Sequence, residues 1–342
     1  MSKVTIYTLA KELNMTPSMV SRAFNPAARI SEEKRRTVLA AAERYGFSPN
    51  KMASRLSMRT VRIGVLINSH FSVNTEKMKA GIARAHEQLR DYKIAYDITL
   101  LNEEEHTYED FRRALAAYRD YDGVILSGMS ASDYTPLIDE LYRVNPCVVQ
   151  VQAINEAAGH LFASKHDERT ASAMAAEFLY HCLRRAKEKR VLLFTGDLRS
   201  TLHTSARQAF AEACERLGLT LLSSVDMKDS EKTLEGLLPE VFGSYGDTLD
   251  GIYITSGVSA PLCRYLAENG YDIPLVTFDT YEEIKQYMKK GVISATVAQN
   301  VAGQMERAFS LLVKHLITGE RCPKTVYTDL QLVLQSNSHQ FD

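Results

Sequence analysis

The chain has 342 residues, 45% of them hydrophobic and 24% charged, with a formal net charge of −1. That length suits two or three domains of ordinary size, and the composition excludes extensive disorder. No apolar run reaches the roughly 18 residues of a membrane span, the N-terminal residues lack the apolar stretch of a secretion signal, and five singly scattered cysteines argue against a disulfide framework or a zinc site, so the expected compartment is the cytosol.

The small net charge hides an asymmetry. Residues 1–60 carry eleven Lys and Arg against four Glu, leaving thirty basic and thirty-eight acidic residues for the rest of the chain. A basic head on an acidic body fits a polyanion-binding module attached to something that does not bind polyanions.

Three helices are predicted in the head. The first runs from Ile6 to about Leu13, with Leu9, Ala10 and Leu13 on one face. The second opens on Thr16-Pro17, a capping residue followed by proline at the first helical position, and breaks at Asn25-Pro26. Only Asn14 and Met15 separate the two, a connection of the helix-turn-helix kind. The third starts from Ser31, carries Glu32 and Glu33 where the helix dipole favours acids, and is expected to bury Val38, Ala41, Ala42 and Tyr45 before Gly46 stops it. In such a motif the second helix enters the major groove of DNA. Ser18 and Met19 are then the base readers, and Pro17, Ser21 and Arg22 lie within reach of bases or phosphates. Residues 48–59 have helix-forming composition in a stretch too short to be helical alone, which predicts a helix formed only against a partner chain and DNA.

The run from Val4 to Leu56, followed by RIGVLI at 62–67, resembles the head and hinge of the lactose-repressor family. Val20-Ser21-Arg22, Asn25, Gly46-Phe47, Pro49-Asn50, Ala53 and Leu56 carry the likeness. The resemblance implies a sequence-specific transcription regulator, in the repressor sense, that binds double-stranded operator DNA as a homodimer. It implies DNA contacts from Thr5, Tyr7, Thr16, Pro17, Ser18, Met19, Ser21, Arg22, Asn25, Asn50, Ala53, Arg55 and Leu56. Paired hinge helices would wedge Leu56 into the minor groove; the competing role for Leu56 is a core leucine under the body.

From Val61 onward, apolar strand-like runs alternate with amphipathic helices. The strands are RIGVLI, IAYDITL, GVILSG, CVVQV, RVLLFTG, LTLLSSV, GIYIT, PLVTFD, ISATVAQ and a final VYTDLQLVL. Repeated units of this kind predict parallel sheets covered on both faces, an α/β class. The count is too large for one small sheet and the pattern restarts near 165, so two doubly wound lobes facing a cleft are expected. The resemblance implies a core like that of periplasmic sugar-binding proteins, with chain crossings near 164, 298 and 325. The expected domains are a helix-turn-helix head over 1–47, a hinge over 48–60, and an effector-binding and dimerisation body over 61–342. Within the body, lobe 1 takes about 61–164 and 298–324, and lobe 2 takes about 165–297 and 325–337.

Ligand sites on such folds lie at the C-terminal ends of the strands. Candidates are Ser69, His70, Phe71 and Ser127 from the first lobe, Arg199, His203, Ser256 and Asp279 from the second, and Gln299 at a crossing. An aromatic ring with convergent carboxylate, amide and imidazole groups suits a sugar or sugar derivative: Phe71 to stack, Asp279 to accept from paired hydroxyls. The competing role for Asp279 is the N-cap of a helix starting near Tyr281. Against the family pattern, Ala206 stands where an effector-binding arginine is usual, and Ser256-Gly257 replaces an Asn-Asp pair, so the effector's identity does not carry over. No dinucleotide fingerprint, P-loop, nucleophile elbow or zinc-protease motif occurs, and neither cofactor nor metal is expected. The alternatives are control by a protein partner, or a sugar-binding or sugar-processing enzyme. The C-terminal residues hold no leucine heptad, which favours a dimer over a tetramer.

Overall fold

The computed structural model describes residues 5–24, 28–47, 59–69, 72–103 and 105–341. Asn25, Asn50, Ala53, Arg55, Leu56, His70 and Phe71 lie outside the described residues.

The chain opens with α1 (Ile6–Glu12), α2 (Pro17–Ala23) and α3 (Glu32–Arg44). A hydroxyl caps each one: Thr5, Thr16 and Ser31 accept from the N–H groups of Thr8, Met19 and Lys34. The helices share a small core of Leu9, Ala10, Val20, Ala23, Val38 and Ala42. Tyr45 departs from expectation. It is 37% exposed and donates its hydroxyl to Glu12 Oε1 at 2.9 Å, because a phenol at a helix end can keep its polar tip wet while its ring lies along the surface. Ala41 is only half-buried.

The body begins with β1 (Val61–Asn68), α4 (Ser72–Gln88), β2 (Ile94–Leu101), α5 (Tyr108–Ala117), β3 (Gly123–Ser127), α6 (Thr135–Val144), β4 (Val148–Val151) and β5 (Phe162–Lys165). It continues with α7 (Glu168–Cys182), β6 (Arg190–Thr195), α8 (Thr201–Leu217), β7 (Thr220–Asp226), α9 (Glu231–Tyr245), β8 (Gly251–Ile254), α10 (Ala260–Glu268), β9 (Leu275–Phe278), α11 (Glu282–Lys289) and β10 (Ala295–Gln299). Helix α12 (Val301–Thr318), β11 (Thr325–Tyr327) and β12 (Leu330–Val333) complete the order. Among the described residues, no helix is long and apolar enough to cross a membrane.

Two six-stranded sheets result, ordered β11-β5-β4-β3-β1-β2 and β12-β10-β9-β8-β6-β7. Among the described residues, the strands of both sheets pair in parallel except β10 with β12. In the first sheet α4 and α12 cover one face and α5 and α6 the other. In the second, α9, α10 and α11 cover one face and α7 and α8 the other. In both sheets the strand order reverses beside the first strand, between β1 and β3 and between β6 and β8, which opens a crevice at the strands' C-terminal ends.

The chain passes between sheets after β5, after β10, and between β11 and β12. The last passage corrects two expectations. VYTDLQLVL is two strands in different sheets, and the crossing falls at Thr328-Asp329, beyond 325. The β11–β5 register ends at Tyr327 and Lys165, with Thr328 N–H donating to Lys165 O at 3.0 Å just before the crossing.

Candidate functional site

The C-terminal ends of both sheets face a cavity of about 220 Å³. Of the candidates within the described residues, Arg199, His203, Ser256, Asp279 and Gln299 line it. Ser127 does not: its hydroxyl donates to Met78 Sδ at 3.4 Å, buried between β3 and α4. Its place on β3 points the side chain at the covering helix instead of the strand end. Ser69 Oγ donates to Leu101 O at 3.0 Å.

Asp279 follows β9 with φ +68°, in the left-handed region that few residues other than glycine adopt. Its backbone is tied down on both sides, the N–H to Val297 O at 2.9 Å and the carbonyl to Thr296 Oγ1 at 2.7 Å. Those ties hold a costly conformation in place and aim the side chain into the cavity. Oδ2 accepts from Gln299 Nε2 at 3.1 Å, and Gln299 Oε1 in turn accepts from His166 Nδ1 at 3.0 Å and Gln304 Nε2 at 3.1 Å. Burial raises the carboxyl's pKa, against the lowering pull of the Gln299 bond, the Lys77 charge and Asn74. The capping role for Asp279 does not hold, since Tyr281 is the cap residue of α11 and makes no side-chain cap bond. Burial lowers the pKa of His166 to about 4, so the ring is neutral at pH 7 and the acceptor it faces fixes Nδ1 as the protonated nitrogen.

His203 and Ser256 meet through a carboxylate that does not stand out in the sequence. Asp229 follows β7 in a turn where Lys228 and Asp229 both have positive φ, 53° and 51°. Its Oδ1 accepts from Ser256 Oγ at 2.6 Å, and Oδ2 accepts from the Asp197 N–H at 2.9 Å and lies 3.1 Å from His203 Nε2. His203 Nδ1 lies 3.2 Å from Thr255 Oγ1. Burial alone would raise the Asp229 carboxyl, but the imidazole and the Ser256 and Asp197 donors hold it well below the usual range. His203 and Ser256 therefore brace one another within the wall. The strand-end rule that selects Asp279 applies equally to Asp229, in the polar turn after LTLLSSV.

Arg199 is a tie across the cleft. Its Nε and Nη2 donate to Asp197 Oδ2 at 2.8 and 2.6 Å, and Nη1 reaches Asp133 Oδ2 of the first lobe at 3.5 Å. Beside it the lobes meet directly, Ser130 Oγ to Ser200 Oγ at 2.8 Å and Thr201 Oγ1 to Ile154 O at 2.6 Å, with a short antiparallel bridge between Ala131 and Ser200. Elsewhere Lys77 Nζ of α4 donates to Thr280 O at 2.8 Å. Glu103, which no sequence pattern singles out, accepts from Asn68 Nδ2 at 2.8 Å.

Known proteins share the fold of the body. The chain is 27% identical over 224 residues to the HTH-type transcriptional regulator AglR of Rhizobium meliloti (strain 1021), covering 64% of this chain and 60% of the relative. It is 26% identical over 225 residues to catabolite control protein A of Priestia megaterium, covering 65% and 64%. The matched region thus spans less than two thirds of either curated relative. The fold superposes on GanP, a glucose-galactose binding protein from Geobacillus stearothermophilus, with a TM-score of 0.72 at 18% identity, covering 82% of this chain and 99% of that one. Residues 63–321 match the family described as periplasmic binding protein domain, well over half of the sequence, and the chain belongs to that family.

Proposed function

We propose that the chain is a DNA-binding transcription regulator of the lactose-repressor type, acting as a repressor whose operator affinity is set by a sugar or sugar derivative in the cleft. Residues 1–47 form the helix-turn-helix domain, 48–60 the hinge, and 61–342 the effector-binding and dimerisation domain. The regulator works as a homodimer in the bacterial cytoplasm, because one small head reads only a half-site and a two-fold operator needs two.

The observation that carries this is the joining of two units. A three-helix unit with its own core and a basic sequence precedes a two-lobe binding-protein body. Helix α2 buries Val20 and Ala23 and leaves Pro17, Ser18, Ser21 and Arg22 exposed, a polar face free to meet a groove, while Met19 is half-buried. Thr5, Tyr7 and Thr16 are exposed near it. The names of the two curated relatives support regulation, and the name of GanP supports a sugar as ligand class. In the cleft, Asp279 accepts from ligand hydroxyls with Gln299 holding its other oxygen.

Selection of binding sites from a random duplex pool tests the proposal. A two-fold symmetric site should emerge, and its affinity should fall steeply with salt, log K dropping by about 0.9 per phosphate neutralised per log unit of salt. Recovery of no preferred sequence, or affinity indifferent to salt, would refute it.

A further inference from the structure

Resting on the cleft as the effector site, we propose that its ligand is an uncharged, single-ring polyhydroxy compound and that the cavity rejects phosphorylated and carboxylated sugars. Charge comes first. Glu103, Asp197, Asp229 and Asp279 line the cavity against Arg199, Lys228 and the His203 imidazole beside Asp229. An anion would enter a space already dominated by carboxylates, where repulsion is little screened.

The group best shaped for a phosphate is already engaged. A guanidinium takes phosphate or carboxylate through a planar fork of parallel donors. In Arg199 two of those donors are on Asp197 and a third faces Asp133. Lys228 is exposed, on the turn after β7.

Asp279 keeps acceptor capacity for a ligand: the carboxylate is 8% exposed, with Gln299 Nε2 on Oδ2 and a further bond from Asn74. Hydroxyl groups donate to it without bringing in charge. Size sets the remaining limit. The cavity, about 220 Å³, corresponds to about seven waters and is smaller than the roughly 300–1,000 Å³ of drug-sized pockets. With the lobes tied at Ser130–Ser200 and Thr201–Ile154, that volume suits one sugar ring.

Calorimetry on the full chain tests this with D-glucose, D-galactose, D-arabinose and D-ribose, the phosphate monoester of each, and maltose. At least one neutral monosaccharide should bind, with its phosphate ester weaker by about tenfold or more and maltose without measurable heat. Combining Asp133→Ala with Asp197→Ala should free the Arg199 fork and narrow the gap between sugar and ester. An ester or maltose that binds the wild-type chain as tightly as the parent sugar overturns the inference, as does a panel in which no monosaccharide binds. Gel shifts on the same preparation separate the two proposals. Operator binding with preferred phosphate esters sinks only the ligand class, whereas monosaccharide binding without any operator sinks only the regulator.

Discussion

At Gly196 a side chain is absent because two others need the space. A Cβ there would lie 2.2 Å from Asp229 Oδ1 and 2.3 Å from His203 Nε2, both fixed by further hydrogen bonds. Gly196→Ala should therefore destabilise the protein by about 1–3 kcal/mol, an overpacking cost, and weaken ligand binding by pushing the wall into the cavity. A melting curve and a titration equal to wild type would show that the pair yields freely. His166 makes a pH prediction. Its folded pKa, about 4, lies below the ordinary 6.5, so between those values the unfolded chain takes up a proton that the folded chain refuses. Stability from this group is complete above about pH 6.5, declines as the pH falls toward about 4, and in total loses about 3 kcal/mol. Asp279 and Glu168, raised by burial, act in the opposite sense. Denaturant unfolding of wild type beside His166→Gln isolates the histidine: the variant should lose less stability on acidification, and equal slopes would contradict the assignment. Single residues also mark how far the sequence can be read. Asp279 is legible because a carboxylate directly after a strand has few places to point. Asp229 is not, since its importance depends on His203 and Ser256 arriving from other elements.

Elements are legible where hydrophobic period and punctuation agree, as in α1–α3 with their hydroxyl caps and in the valine- and isoleucine-rich central strands. Helix α9 escapes a reading by pattern because Gly236, Pro239 and Gly243 interrupt it. Each is a poor helix former. Burial of Leu234, Leu238, Val241 and Phe242 against the second sheet stabilises the helix by enough to override them. At Gly236 an added methyl group would meet nothing within 4 Å, and the residue lies exposed. Gly236→Ala should then raise stability by about 0.4–1 kcal/mol, by removing freedom from the unfolded chain. Chemical denaturation checks this, and a lowered midpoint would mean that α9 is not a continuous helix there. The C-terminal strand misleads for a different reason. Alternation continues across Thr328-Asp329 and cannot reveal that the strand changes sheets.

For the whole molecule, two doubly wound sheets place their switch points opposite each other, and the closest ties between lobes surround the cavity. A ligand alters the chain's behaviour only through its different affinity for closed and open arrangements. Lys77 on α4, the first helix of the body, donates to Thr280 O beside Asp279 of the second lobe, so a ligand on Asp279 lies next to a contact between the lobes. The most direct test is to measure the affinity of the full chain for its selected DNA site by fluorescence anisotropy, with and without a saturating neutral monosaccharide shown to bind by calorimetry. Coupling between the sites should change operator affinity by about fivefold or more, and Asp279→Asn should keep operator binding while losing that response. Operator affinity that stays the same with the monosaccharide bound would contradict control of the head by the cleft.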